Sequence, residues 1–276
     1  MPSPLISLLT DFGLRDPSAA ILHGVIAGIA PEARVIDITH EVRKYRIRDG
    51  ALMLWCALPW LPVGVHVAVI DPGVGTARRP IAVRVARGDV LVGPDNGLLL
   101  GPADRLGGAV AAVELTNPAY RLPRLSTSFH GRDLFAPVAA HLANGVVLEE
   151  LGPLVDLATL VPSPLPGARV GEDAVESAVI YVDTFGNVKL SALADEVEAG
   201  LAGLMPGGRV RLERPGHAPV TLPLVRTFGD VAAGEPLLYR DSYDRACVAV
   251  NQGNAAEALD LAEDQPVRLR RAMEDA

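Results

Sequence analysis

An aspartate and an arginine seven residues apart, Asp71 and Arg78, stand in the stretch VHVAVIDPGVGTARRP (65–80). Its apolar run stops at Asp71, and Pro72, Gly73 and Gly75 force an irregular turn before Arg78 and Arg79. A run of β-branched and small apolar residues bounded by turn formers reads as a buried strand. In open α/β sheets ligands bind just beyond the carboxyl ends of such strands. A carboxylate beside a guanidinium stays ionised. The pair therefore either sets fixed charge at the mouth of a site or closes a turn as a surface ion pair. Three more polar residues share this placement: Asp11 after the apolar run LISLLT, Asn96 in the turn GPDNGLL, and His130 in the loop STSFHGRD ahead of a helix. Each alone has a plain structural reading, as a turn cap, a left-handed turn residue before Gly97 and a half-buried histidine respectively. Their common position at strand ends and before a helix is what points to a site.

Other familiar patterns fail. Asp11-Phe12-Gly13 and His130-Gly131-Arg132-Asp133 imitate kinase motifs in reversed order, with no glycine-rich loop or strand lysine to accompany them. Gly73-Val74-Gly75-Thr76 lacks the Gly-Lys-Ser/Thr of a phosphate loop. No G-x-S-x-G elbow is present. The six histidines show no H-x-H or H-E-x-x-H spacing, so no metal is expected in the site.

The elements that must carry these residues alternate. Strands are expected over residues 4–10, 34–39 and 65–70, with helices over 17–30 and 49–58 between them; this is the signature of a parallel α/β sheet. Shorter strands follow at 81–85, 90–92 and 109–115, then a helix over 134–142. The segment LVPSPLPGARVG (160–171) holds three prolines and two glycines and reads as a connector. Beyond it strands are expected at 177–182, 209–213, 219–222, 236–239 and 246–250, a pattern of small antiparallel barrels and sandwiches. The expectation is an N-terminal α/β domain over 1–163 and a smaller antiparallel β-barrel domain over 172–276.

Composition narrows the partners. The chain has 276 residues, 49% hydrophobic and 21% charged, enough apolar material for a substantial core; aromatics are only 4%, so aliphatic residues must fill it. A net charge of −8 argues against nucleic acid, whose phosphates demand basic patches. Two cysteines, Cys56 and Cys247, imply neither a disulfide framework nor a zinc knuckle. No run approaches the roughly 20 apolar residues of a membrane helix, and the start MPSPLISLLTDFG does not read as a signal peptide. The expectation is a cytoplasmic protein that does not associate with membranes.

Seven segments together resemble one family: LLTDFGLRD (8–16), VIDITHEV (35–42), VIDPGVGTARR (69–79), GPDNGLL (93–99), SFHGRDLFAP (128–137), VDTFGNVKL (182–190) and AVNQGNAA (249–256). The chain is similar to the S-adenosyl-L-methionine (SAM) hydroxide adenosyltransferases, relatives of bacterial fluorinase and chlorinase, and the likeness spans both expected domains. The resemblance implies a homotrimer with SAM held between the N-terminal domain of one subunit and the C-terminal domain of the next. It implies a water-activating triad at Asp71, Arg78 and His130. The halogenases differ at the Asp and His positions and carry a serine where Gly131 stands, which sides this chain with hydroxide chemistry.

The implied reaction is attack of water at the ribose C5′, giving adenosine and L-methionine with no cofactor. The sulfonium is already a good leaving group; the difficulty is presenting a weak nucleophile in line, where positioning contributes about 7–11 kcal/mol at best. Arg78 and His130 would stabilise developing hydroxide character; Asp71 would orient the water, fix Arg78 or accept the proton. By the same resemblance Asp11 would bind the ribose hydroxyls and Asn96 would line the substrate pocket. Phe185 would stack near the adenine, Asn187 and Ser242 would hold the methionine end, and the backbone around Val250 and Asn251 would close the pocket. Cys247 stands where relatives often carry a glutamate for the methionine ammonium. A thiol makes a poorer partner, and Asp241 or Asp244 would substitute. Two other readings remain: a SAM or adenosine sensor without turnover, and halogenase-like substitution on SAM.

Overall fold

The structure is a computed structural model and describes residues 4–272. The chain divides after Pro164 into two compact units. In the first, strand β1 (Leu5–Thr10) is followed by helix α1 (Ser18–Ile29), β2 (Arg34–Thr39), α2 (Ile47–Ala57) and β3 (Val65–Val69). Then come β4 (Pro80–Val85), β5 (Val90–Pro94), α3 (Leu100–Arg105), β6 (Ala109–Glu114) and α4 (Ala136–Ala143), the last entered through a single π-helical turn over Gly131–Phe135. The sheet order is β2-β1-β3-β5-β4-β6. The β2, β1, β3 and β5 pairings are parallel, while β4 runs antiparallel to both β5 and β6. The parallel α/β expectation holds, with one antiparallel strand inserted.

All six residues of β1 and all five of β3 are buried, as strands covered on both faces must be. Ile6, Leu8, Val67 and Val69 share one cluster with Leu22 and Ile26 of α1 and with Phe135, Val138 and Ala139 around α4. Helix α2 lies so close to Ile70 that a Cβ at Gly50 would fall 2.0 Å from the isoleucine Cδ1. At the strands' amino ends a buried polar chain ties three strands together. His66 is bonded through Nδ1 to Ser7 Oγ at 2.8 Å and through Nε2 to Asp89 Oδ1 at 2.9 Å, and Arg87 donates to the same carboxylate.

The second unit contains β7 (Arg169–Val170), β8 (Ala174–Val182), β9 (Val188–Leu193), α5 (Ala194–Gly200), β10 (Arg209–Glu213) and β11 (Val220–Val225). It continues with β12 (Pro236–Arg240), β13 (Arg245–Val250), α6 (Ala255–Ala258) and β14 (Pro266–Arg271). The strands run in the order β14-β10-β11-β12-β13-β9-β8, and β14 pairs back on β8 to close a barrel, with β7 appended to β8. The pairings are antiparallel except β11 with β12, which is parallel. Val175, Leu190, Leu212, Leu222, Val248 and Leu269 point into one core. No helix among the described residues is long and apolar enough to cross a membrane.

Candidate active site

Parallel pairing brings the first two carboxylates together. Thr10 of β1 is in register with Val69 of β3, so Asp11 and Asp71 leave adjacent strands at the same, carboxyl end of the sheet. Asp11 is only 7% exposed; Lys44 donates to its backbone carbonyl, and the Tyr45 amide donates to its Oδ2 at 2.9 Å.

Asp71 and Arg78 face each other across the turn between them. Arg78 Nε donates to both carboxylate oxygens at 3.0 Å, and Nη2 makes a further short bond to Oδ2. Nη2 also lies 2.8 Å from His130 Nδ1. A guanidinium has no lone pair to offer, so Nδ1 is the acceptor and the ring is neutral with its proton on Nε2. Burial pushes the His130 pKa below its usual value and the Arg78 charge adds to this; Asp71, Asp133 and the Ser126 carbonyl pull the other way. The guanidinium also lies over the Phe135 ring, 5.3 Å from its centroid. With side-chain exposures of 10% for Arg78 and 5% for Asp71, the pair is largely shielded from solvent.

Local backbone explains the convergence. Gly75 sits at φ +76°, and a Cβ there would come 2.3 Å from the Thr127 carbonyl, so glycine alone lets this turn touch the loop that carries His130. Gly131 opens the π-helical turn, and a Cβ there would sit 3.1 Å from Phe12 Cζ. Phe12 in turn packs edge-on against Phe129, with centroids 5.6 Å apart. Asp11, Phe12, Tyr45, Asp71, His130 and Gly131 line one cleft of about 160 Å³.

Asn96 stands apart from that cleft. Its Nδ2 donates to the Ile70 carbonyl at 2.8 Å and its Oδ1 accepts from the Leu98 amide at 3.2 Å. It clamps the turn after β5 onto the end of β3.

In the second unit Phe185, Asn187, Ser242 and Val250 line a single pocket of about 660 Å³. Asp183, Lys189, Asp241 and Tyr243 line it too, and apart from Asp241 these went unread in the sequence. Asp183 organises the T-F-G-N turn: its Oδ1 accepts the Phe185 and Asn187 amides at 2.9 Å, and its Oδ2 accepts the Asn187 side-chain amide at 3.0 Å. An aspartate immediately before T-F-G-N was the available signal. Lys189 donates to Asp241 and lies over the Tyr243 ring. Phe185 is 76% exposed and presents a flat apolar surface at this pocket.

Cys247 is placed differently from the expectation. It is fully buried in β13 and hydrogen-bonded to Tyr239; burial pushes its thiol pKa up to about 12, against the pull of Tyr239 and Lys189. A buried neutral thiol offers an ammonium no charge. Of its two suggested substitutes, Asp241 lines the pocket, whereas Asp244 sits at φ +66° and faces Arg240 at 3.5 Å.

Comparison with known proteins agrees with this layout. The SAM hydroxide adenosyltransferase N-terminal domain matches residues 6–152, and the C-terminal domain of the same family matches 177–268. A Salinispora tropica protein named (R)-S-adenosyl-L-methionine hydrolase is 48% identical over 270 residues, covering 97% of this chain and 98% of its own. The protein of that name from Thermus thermophilus is 41% identical, covering 96% and 98%. A protein named fluorinase from Actinopolyspora mzabensis is more distant, at 28% identity over 98% of each chain. The crystal structure of an uncharacterized conserved protein from Thermotoga maritima superposes with a TM-score of 0.90 at 34% identity, covering 96% of this chain and all of that one. Both family domains are matched in order along one chain, which belongs to the SAM hydroxide adenosyltransferase family.

Proposed function

We propose that this protein hydrolyses SAM at the ribose C5′, giving adenosine and L-methionine. The observation that carries the reading is the bonded series Asp71–Arg78–His130 in the same cleft as Asp11. Water oxygen bonds to C5′ as the C5′–sulfur bond breaks, and its electron pair neutralises the sulfonium. The forming C–O bond makes the water protons strongly acidic, so a weak base suffices to take one. Asp71 is that base. The His130 lone pair at Nδ1 is committed to Arg78, so the histidine holds the guanidinium in place. Arg78 holds the Asp71 carboxylate in place through both its oxygens and stabilises the oxygen as it enters. No step needs a metal or a cofactor.

Asp11 binds the ribose hydroxyls. The cleft of about 160 Å³ lies below the roughly 300–1,000 Å³ of ordinary small-molecule sites, which supports a pocket completed elsewhere. We assign the completion to the second unit of a neighbouring copy in a homotrimer. There Phe185 meets the adenine, Asn187 and Ser242 hold the methionine end, and Val250 closes the pocket. Asp183 and Asp241 serve its ammonium in place of Cys247. The relatives' name specifies the R configuration at sulfur, and that epimer is the proposed substrate. Two free cysteines suit a reducing cytoplasm.

The test is product analysis in ¹⁸O-water with each sulfonium epimer. Equimolar adenosine and methionine, with label in the adenosine 5′-hydroxyl, is the expected result. Unchanged SAM would make the chain a sensor, and halogenated adenosine formed in chloride or fluoride would make it a halogenase.

A further inference from the structure

His23, Asp37 and His40 are far apart in type of element but meet in space. His23 lies on α1, Asp37 on β2 and His40 just after it. One ligand atom from each falls within 4.8 Å of the others. Asp37 Oδ1 is the common centre, 2.8 Å from His23 Nε2 and 3.1 Å from His40 Nε2.

His40 shows that the cluster is more than a surface ion pair. Its side chain is only 2% exposed, and Nδ1 is bonded to Thr10 Oγ1 at 2.8 Å. Nε2, aimed into the cluster, has no hydrogen-bond partner; the nearby carboxylate oxygen lies outside bonding geometry. A buried ring nitrogen without a bonded partner, its other nitrogen held by a hydroxyl, is the arrangement of a metal-ligating histidine with its outer support. On the other side His23 and Asp37 are partly open, at 38% and 42% side-chain exposure, which leaves solvent access for a fourth ligand. Two imidazoles and one carboxylate are a donor set that zinc and its divalent neighbours favour. Ligand atoms around a tetrahedral zinc stand about 3.4 Å apart, as follows from bonds of about 2.0–2.1 Å. The two separations from Asp37, 2.8 and 3.1 Å, need to open by about 0.6 and 0.3 Å to match that spacing.

We propose that His23, Asp37 and His40 form a binding site for one divalent transition-metal ion of the zinc class. The ion would tie α1 to the end of β2. It would also brace the loop after β1, because the His40 carbonyl accepts the Gly13 amide at 2.7 Å. The site is structural and lies outside the hydrolytic chemistry proposed above.

Protein stripped with a chelator and titrated with zinc in a calorimeter should take up one ion per chain. Cobalt(II) in its place should show the visible absorption of a nitrogen- and oxygen-ligated ion, and zinc should raise the melting temperature. Thr10→Val, which removes the hydroxyl bonded to Nδ1 and, with it, the acceptor of the Phe12 amide, should weaken zinc by roughly 10–100-fold. His23→Ala and Asp37→Asn, at partly exposed positions, should weaken it further. Asp71→Ala should bind zinc as the unaltered chain does, so failure of hydrolysis and failure of this site are distinguishable. The proposal is overturned if neither calorimetric uptake nor cobalt absorption is seen. Undiminished uptake by both His23→Ala and His40→Ala would overturn it equally, by moving the ion to other donors.

Discussion

Asp71, Arg78 and His130 are bonded in series, and their removal should behave accordingly. Asp71→Ala, Arg78→Ala and His130→Ala should each lower kcat by about 10²–10³-fold, the range for preorganised polar groups. SAM binding should survive, because the substrate is held by other residues. Since His130 acts through Arg78, the Arg78→Ala/His130→Ala pair should be no slower than Arg78→Ala alone. Product assays beside calorimetric SAM titration read both quantities. Wild-type turnover in Asp71→Ala would remove that residue from the mechanism, and loss of SAM binding in all three would make them a structural cluster. Arg78→Lys should not rescue, because an ammonium cannot reach Asp71 and His130 at once with fixed geometry. The pH dependence has a definite sign. The His130 pKa is lowered on folding, chiefly by burial and then by Arg78. The functional form is neutral, so kcat should hold at and above about pH 6.5 and fall as pH drops through the lowered value. The same shift makes folding stability decline as pH falls from about 6.5, where the unfolded chain begins to bind the proton first. A pH–rate profile of His130→Gln lacking that acid limb is the check; an unchanged limb would assign it elsewhere.

At the scale of elements, much of the fold was legible. Strands at 34–39 and 209–213 coincide with their expected bounds, and β1, β3 and β13 differ by one residue at an end. Long apolar runs between proline or glycine stops leave few alternatives. The missed elements have physical reasons. In β14, PVRLRR, only Val267 and Leu269 face the core while the arginines face out, so its short alternation hides among charges. β9 and α5 run together without a breaker, Leu193 ending one and Ala194 beginning the other. The helix expected over 134–142 begins at 136, because the H-G-R-D-L-F stretch takes a π-helical turn that no periodicity announces. Asp11, Asp71 and His130 were singled out from position alone and line one cleft, whereas the hydrogen bonds of Asn96 and the burial of Cys247 depend on pairing that sequence does not display. The metal cluster was invisible for the same reason, its ligands being on separate elements. The His66–Asp89 chain offers a stability test. Burial works against the Asp89 charge, but hydrogen bonds from His66 and Arg87 more than reverse this and hold its pKa well below the carboxylate range. Asp89→Asn should therefore destabilise the first unit by about 3–5 kcal/mol, the cost of breaking a buried pair. The unaltered chain should keep that stability above about pH 3.9 and lose it as acid protonates Asp89. Denaturant titration measures both, and an effect below 1 kcal/mol, about the worth of an exposed pair, would make the network incidental.

For the whole molecule, the two halves of the proposed pocket lie in separate units, and the shared-pocket reading predicts complementation. Asp71→Ala and Asn187→Ala chains should each be impaired alone. Mixed within one oligomer, they should recover activity, because some pockets then draw an intact half from each chain. Absence of rescue in verified mixed oligomers would confine each pocket to a single chain. Closure of the barrel also has a consequence for synthesis. The first unit is complete once Pro164 has emerged from the ribosome. The second holds an open seam between β8 and β10 until β14, ending at Arg271, arrives to pair with both. Until then two strand edges are unpaired, the kind of surface that recruits chaperones or pairs with the wrong chain. Ribosomes stalled between these points would carry a finished α/β unit and an unsealed barrel, so the second unit is where nascent chains of this protein are most exposed to misassembly.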